Sequence, residues 1–208
     1  PGDERVRCFA GLPLPDAWGA ALSRVSERLA ARLASKITWT PPGNWHSTLR
    51  FLGEVEPRRL PEVRAALGRV AFAPMVLRLG PAGAFGAKTG GRAPRTLWAG
   101  LAEGGEQAAL LAARINAALA PLGFGDAGGR GFRPHVTLGR VRRPVPDEDW
   151  GLVDRELGAE TFASARVEFF VLWRSVLGRG GPKYSVLETY PARAGGCAEP
   201  LRLCSLRG

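Results

Sequence analysis

Two kinds of hydrophobic pattern alternate along the chain. In short runs, apolar and polar residues alternate one by one, which is the period of a β-strand. In longer runs, apolar residues recur every three or four positions, which is the period of an α-helix. The first pattern predicts strands at residues 6–12, 37–40, 47–52, 75–79, 96–101, 133–141, 165–177 and 184–189, and the 165–177 strand is long enough to be bent. The second pattern predicts helices at residues 16–33, 60–70, 106–122 and 147–157, the first of them with Asp16 as its N-cap.

The order of these elements predicts an α+β fold. A succession of strand, helix, strand, strand and helix occurs roughly twice, which indicates two lobes, each an antiparallel sheet covered by helices. We therefore expect residues 1–191 to form a single bilobal domain. Residues 192–208 have no clear period and are predicted to be a C-terminal extension.

The most informative feature of the composition is the net positive charge. With 45% apolar residues in 208, the chain resembles an ordinary globular protein, and no stretch is long and apolar enough for a membrane helix. Lys and Arg number 29 against 19 Asp and Glu, a net charge of +10 that is carried almost wholly by arginine, whose planar guanidinium suits phosphate. A GC-rich genome produces the same excess, so the charge permits an anionic partner without requiring one.

The start of the chain and its cysteines indicate a cytoplasmic protein. The first residues are charged and then turn strand-like, so no signal peptide is predicted. Cys8, Cys197 and Cys204 have neither C-x-x-C nor metal-ligand spacing, which argues against a disulfide scaffold. We expect a monomer without membrane association.

The two histidines of the chain open the same tetrapeptide pattern, HSTL at 46–49 and HVTL at 135–138. Both motifs lie in predicted strands, where side chains alternate between faces. His46 and Thr48 therefore share one face, and His135 and Thr137 share another. The apolar residues between and after them, including Phe51, are expected on the opposite, buried face. This is the polarity of strands that line a polar groove.

Paired histidines and threonines suit the opening of a cyclic phosphodiester. In-line attack needs a base on the attacking water and an acid on the leaving oxygen, and imidazole can act as either near neutral pH. Threonine hydroxyls can donate to the non-bridging oxygens, where negative charge accumulates. The motifs contain no Asp, Glu or third His at ligand spacing, so we predict no metal site.

Arginine and aromatic residues near the motifs are candidates for substrate binding. Arg133 lies two residues before His135 in the predicted strand, so its side chain is expected on the same face as those of His135 and Thr137. It would then project into the groove and bind phosphate or ribose, although the alternative of a solvated surface residue stays open. Arg140 and Arg142 are off that face or beyond the strand and are interpreted as surface charge.

Aromatic side chains could stack on a base of single-stranded RNA, although aromatics more often belong to the core. The candidates are Trp39, Trp45, Phe51 and Tyr184. Tyr184 is preferred among them because it follows a glycine-rich hairpin turn.

One glycine-rich segment imitates a nucleotide-binding loop. The order Ala87, Lys88, Thr89 resembles the end of G-x-x-x-x-G-K-[ST], but Ala82 and Ala87 occupy both glycine positions. The segment also does not run from a strand into a helix. We therefore predict no ATP use and no cofactor.

With its two HxTL motifs, the chain resembles the 2H phosphoesterase superfamily, and within it the RNA 2′,3′-cyclic phosphodiesterases, also called 2′-5′ RNA ligases or LigT. The resemblance includes RCFAGLPLP, WTPPGNWHSTLRFLGEV, RTLWAGL and FRPHVTLGRV, and it spans about residues 5–191. It implies a bilobal fold around a central cleft, with one HxTx strand in each lobe.

The resemblance also implies the roles of the residues. His46 would donate the proton to the leaving 3′-oxygen, and His135 would accept the proton of water. The product would carry a 2′-phosphate, and a weak ATP-independent reverse reaction would join RNA ends through a 2′-5′ bond. Two alternatives stay open: a non-catalytic module that binds RNA ends, and a 2H phosphoesterase for another cyclic phosphate.

Overall fold

The computed structural model describes residues 5–86, 93–124, 132–178 and 181–193. In these ranges the chain forms an α+β fold of two antiparallel sheets and four α-helices, which confirms the predicted fold class. The strands are β1 (Val6–Pro13), β2 (Lys36–Trp39), β3 (His46–Val55), β4 (Met75–Phe85), β5 (Thr96–Glu103), β6 (His135–Arg143), β7 (Ala165–Val167), β8 (Phe169–Gly178) and β9 (Gly181–Pro191). The helices are α1 (Gly19–Arg32), α2 (Leu60–Gly68), α3 (Gly105–Leu119) and α4 (Leu152–Gly158).

The chain passes repeatedly between the two sheets. The first sheet has the strand order β3-β1-β8-β9, and the second has the order β2-β6-β5-β4-β7. The two motif strands therefore belong to different sheets, β3 at an edge of the first and β6 inside the second. β3 and β6 also contact each other, so the two motif strands lie close together although they belong to different sheets.

The helices pack on the sheets through one continuous core. In α1 the apolar residues Ala21, Leu22, Val25 and Leu29 are buried, as the helical period predicts. This helix packs against α4, which lies on β4, whereas α2 and α3 pack against each other and reach β9 and β3. Glu160, just after α4, accepts hydrogen bonds from Arg24 and Arg28 of α1, and its pKa is lowered to about 2 by these two guanidinium groups.

Several boundaries differ from the sequence prediction. Residues 165–177 form not one bent strand but two, because the chain pairs with β4 up to Val167 and then, from Phe169, pairs with β9 and, from Val171, also with β1. The predicted N-cap Asp16 makes no capping hydrogen bond. It begins a 3-10 turn, Asp16–Trp18, whose Trp18 is buried and donates its indole N–H to Ala163, and α1 follows at Gly19.

Other elements shift in length. Strand β4 continues to Phe85, beyond the predicted end at residue 79, and α4 begins at Leu152 rather than at residue 147. The rejected nucleotide-binding segment at Ala87 lies outside the described residues. So do residues 194–208, so the predicted C-terminal extension stays a prediction.

Candidate active site

A cleft of about 540 Å³ lies between the two sheets. His46 and Thr48 of the first motif and Thr137 of the second line it. Cationic and aromatic side chains complete its walls: Arg7, Arg140, Arg142, Phe9, Trp39, Phe51 and Tyr184.

In the first motif, the pairing of β3 with β1 skips one residue. Gly11 lies opposite Thr48 and Ala10 opposite Arg50, so Leu49 is extra in β3. Such a bulge reverses the alternation of faces. Phe51 therefore lines the cleft together with His46 and Thr48, and the prediction that it faces the core was wrong.

The second motif contains the corresponding bulge. Trp98 lies opposite Thr137 and Leu97 opposite Gly139, so Leu138 is extra in β6. After this residue Arg140 and Arg142 line the cleft. Both are exposed, in line with their interpretation as surface charge, but the sequence prediction did not place them at the cleft. The sequence held a signal for this shift, because Val141 is apolar at a position where unbroken alternation would put a polar residue.

Both imidazoles are oriented by a backbone carbonyl two residues before them. His46 Nδ1 lies 2.8 Å from the carbonyl oxygen of Asn44, and His135 Nδ1 lies 2.8 Å from that of Arg133. A carbonyl oxygen can only accept, so Nδ1 carries the hydrogen and Nε2 of the neutral ring carries the lone pair. His46 Nε2 lies 3.0 Å from the hydroxyl of Thr48, which can donate to it.

A tryptophan ring over a glycine supports each histidine. Trp98 lies over Gly83, where an added Cβ would come within 2.0 Å of the ring, and its centroid is 5.9 Å from that of His135. In the first sheet Trp173 contacts the position of Gly11, and its centroid is 5.7 Å from that of His46. The two sheets thus build similar supports from different strands.

Further rings enclose each imidazole. Phe9 and Tyr184 lie 4.6 and 5.2 Å from His46 between centroids, and Phe85 lies 4.8 Å from His135. Both rings are therefore partly buried among aromatic groups.

This enclosure sets the electrostatics of the pair. Burial lowers the pKa of His46, and the positive charges of His135 and Arg140 lower it further. Burial also lowers the pKa of His135, again with a contribution from Arg140. Because His135 affects the pKa of His46, the two rings lie within electrostatic reach of each other, and double protonation is disfavoured.

The remaining candidates lie in different places. Tyr184 lines the cleft, as does Trp39, whereas Trp45 packs against the hydrophobic core. The guanidinium of Arg133 lies over the Trp98 ring, 5.5 Å from its centroid, and the residue is exposed. Arg133 precedes β6, which begins at His135, so strand parity does not govern its side chain.

Two further properties of the described residues bear on function. Across residues 5–86, 93–124, 132–178 and 181–193, no three His, Cys, Asp or Glu side chains form a group that could hold a metal ion. Within the same part of the chain, no helix combines the length and the apolar composition needed to cross a lipid bilayer.

Comparison with known proteins relates this site to one family. A family model described as "LigT like Phosphoesterase" matches residues 12–95. An RNA 2′,3′-cyclic phosphodiesterase of Archaeoglobus fulgidus is 30% identical over 185 residues, which are 89% of this chain and 99% of the relative. Among solved structures, a Thermus thermophilus protein has a TM-score of 0.72 at 29% identity, with 90% of this chain and 98% of the other covered. The apo form of E. coli LigT has the same fold, with a TM-score of 0.64 at 23% identity and coverage of 91% and 98%.

Proposed function

The chain belongs to the LigT-like phosphoesterases, the family of the RNA 2′,3′-cyclic phosphodiesterases, and from this we propose that it hydrolyses RNA 2′,3′-cyclic phosphate ends to 2′-phosphomonoesters. His46 is the proton donor and His135 the proton acceptor. The proposal rests on the observation that both imidazoles are oriented in the same way. Each Nδ1 lies 2.8 Å from a backbone carbonyl oxygen, so each Nε2 is the nitrogen that can exchange a proton with the substrate or water.

The reaction follows from these two nitrogens. Neutral His135 accepts a proton from water at Nε2 while the water oxygen forms a bond to phosphorus. On the opposite side of phosphorus, the bond to the 3′-oxygen breaks, and protonated His46 gives its Nε2 proton to that oxygen. The product has a 3′-hydroxyl and a 2′-phosphate. With the 5′-hydroxyl of a second RNA end in place of water, the same two proton transfers would join the ends through a 2′-5′ bond, with the 3′-oxygen as the leaving group and without ATP.

The pKa shifts favour one acid and one base. Burial lowers the pKa of both rings, the charge of His135 lowers that of His46 further, and Arg140 lowers both, so the cleft disfavours two imidazolium ions. A bound phosphodiester anion attracts positive charge and therefore raises the pKa of both histidines. Substrate binding thus favours the uptake of the proton that His46 later donates.

Threonine and arginine side chains supply the donors for the phosphate. Thr48 and Thr137 line the cleft, and the Thr48 hydroxyl already lies 3.0 Å from the reacting nitrogen of His46. Arg140 lines the same cleft, and its charge acts on both histidines. These groups can stabilise the charge on the non-bridging oxygens. Arg133, above Trp98, is retained as a candidate for the RNA strand next to the cleft.

Aromatic groups on the first sheet are suited to the nucleoside. Tyr184 and Phe51 line the cleft, and 46% of Phe51 is exposed, so a base can stack on it. We propose single-stranded RNA ends and 2′,3′-cyclic nucleotides as substrates. A monomeric state and a cytoplasmic location stay predictions.

Incubation with a 2′,3′-cyclic nucleotide in the presence of EDTA tests the proposal, with the product isomer identified by phosphorus NMR. We expect the 2′-monophosphate to form, and to form about 10²–10⁴-fold more slowly with His46→Ala or His135→Ala, the usual contribution of one acid or base. Thr48→Val and Thr137→Val should each cost less, about 10–10²-fold.

Three results would each contradict a part of the proposal. If the cyclic phosphate survives while RNA still binds, and the RNA affinity falls as the salt concentration rises, the protein is a non-catalytic RNA-binding module. Near-normal turnover by both histidine variants would remove the acid and base assignment. Turnover of a different cyclic phosphate in preference to RNA ends would keep the chemistry and change the substrate.

A further inference from the structure

Asn44 occupies the end of a turn that leads into the first motif strand. The turn has the sequence Pro41-Pro42-Gly43-Asn44, and the backbone N–H of Asn44 donates to the Pro41 carbonyl at 3.1 Å. Gly43 has a φ of 84°, which favours glycine. The turn therefore fixes the backbone of Asn44 two residues before His46.

This residue connects two parts of the site. Its carbonyl oxygen lies 2.8 Å from Nδ1 of His46 and orients the ring. Its side-chain nitrogen Nδ2 donates to the carbonyl oxygen of Pro182 at 2.7 Å, across 138 positions of sequence. Because that oxygen can only accept, the nitrogen of the amide must be the atom that faces it.

Pro182 belongs to the hairpin of β8 and β9, and this hairpin also contacts His46. Tyr184, two residues further along β9, lies edge-on to the imidazole with 5.2 Å between centroids. It also contacts Phe9, whose ring lies 4.6 Å from His46. The hairpin thus forms one wall around the imidazole, and Asn44 is bonded to both the hairpin and the imidazole.

We propose that Asn44 is a positioning residue for His46, and that its side-chain amide holds the β8–β9 hairpin so that Tyr184 closes over the ring. Asn44 acts through the hairpin and does not itself contact the reacting phosphate. The importance of this role for turnover rests on the proposed function. The structural coupling itself does not.

The second motif provides an internal comparison. The carbonyl of Arg133 holds His135 at the same 2.8 Å distance, but the side chain of Arg133 lies over Trp98 of its own sheet. Both histidines therefore share the hydrogen bond from Nδ1 to a backbone carbonyl. In the described part of the chain, the second hydrogen bond, from a side chain to the hairpin, occurs only beside His46, where Asn44 makes it. A change at Asn44 should affect His46 and leave His135 as it is.

Nitrogen NMR of the imidazoles tests this, because the chain has two histidines whose signals can be assigned by His46→Ala. In Asn44→Ala the hairpin wall loosens and water reaches His46, so the cost of charging the ring falls. We expect the pKa of His46 to rise towards its ordinary value by about half a unit or more. The charges that face the ring, His135 and Arg140, are unchanged in this variant.

Turnover provides a second measurement. We expect kcat to fall about 10-fold in Asn44→Ala, since a misaligned acid loses part of its contribution. Ser185→Ala is the matched control, because it removes an exposed polar side chain from the same hairpin. It should leave the pKa of His46 and kcat as in the wild type. If Asn44→Ala does not fold, Asn44→Ser keeps a polar side chain that is one bond too short to reach Pro182, adds no charge beside the imidazole, and should also raise the pKa of His46.

A double-mutant cycle with Tyr184→Ala separates positioning from an independent effect on stability. If Asn44 acts through the hairpin, the pKa shift of His46 in the double variant should be smaller than the sum of the two single shifts. Additive shifts, an unchanged His46, or equal shifts of both histidines would each overturn the proposal. A wild type that does not hydrolyse cyclic phosphate would refute the proposed function instead, and the NMR result would still decide the coupling.

Discussion

Replacement of Arg140 tests both the bulged geometry of the second motif and the electrostatics of the histidine pair. The bulge at Leu138 brings Arg140 into the cleft, where its charge lowers the pKa of both His46 and His135. Arg140→Ala removes this charge. Two effects should follow, one on phosphate affinity and one on the pH dependence of turnover.

The expected loss of phosphate affinity follows from the hydrogen bond between Arg140 and the phosphate that Arg140→Ala removes. A hydrogen bond to a charged group contributes about 1.5–3 kcal/mol. Since 1.4 kcal/mol corresponds to a factor of ten, affinity for the 2′-monophosphate product should fall about 10–10²-fold. Arg140→Lys should recover part of this, because the charge returns without the planar pair of donors.

The direction of the second effect follows from the sign of the charge. Without Arg140 an imidazolium is less repelled, so the pKa of both histidines rises. His135, the proposed base, then becomes neutral only at higher pH, and His46, the proposed acid, stays protonated to higher pH. Both limbs of the bell-shaped profile of kcat/KM should therefore move to higher pH, while its height falls.

The assay is kcat/KM for a 2′,3′-cyclic nucleotide from weakly acidic to weakly alkaline pH, together with product affinity at constant salt. Arg78→Ala is the matched control, since this exposed arginine on β4 lies opposite Glu103 and its loss changes the net charge equally. The control should show neither effect. A bell at the wild-type position and an unchanged product affinity in Arg140→Ala would mean that the arginine is surface charge, as unbroken strand alternation implies.

Three further changes test other parts of the structure. Gly83→Ala would push a Cβ into the Trp98 ring and should lower the free energy of unfolding by about 1–3 kcal/mol in denaturant titrations, whereas Gly68→Ala, with open space around it, should not lower it. Phe51→Ala should weaken binding of both an oligonucleotide end and a mononucleotide about 10–10²-fold, because stacking of the terminal base is lost; unchanged affinity for both ligands would contradict this. Arg133→Ala should reduce the salt dependence of oligonucleotide binding by about one ion and leave the shape of the bell unchanged; an unchanged affinity would show that this arginine is only solvated.

Local periodicity was sufficient to predict most elements and the polar motif faces. A helix such as α1 buries Leu22, Val25 and Leu29 because their spacing places them on one side. In the same way, a histidine and a threonine two residues apart share a strand face, and His46 and Thr48 both line the cleft. These relations depend only on neighbours in sequence, so the sequence contains them.

Relations that depend on a partner strand were not predictable in this way. A bulge exists only relative to the strand opposite, and the positions of Phe51 and Arg140 follow from bulges at Leu49 and Leu138. The division of residues 165–177 between two sheets has the same origin. No Gly or Pro marks Glu168, so two strands with different partners look like one apolar run.

The same bulge in both motifs explains how two similar histidines come to differ. Each tetrapeptide ends in a leucine that is extra in its strand, and in each the residue five positions after the histidine returns to the cleft. That residue is Phe51 after His46 and Arg140 after His135. The first wall therefore offers an aromatic surface for a nucleoside, and the second offers a cation for phosphate. A substrate bound to both would have its ribose side towards His46 and its phosphate towards Arg140, which is the orientation that the proposed role of His46 as donor to the ribose oxygen requires.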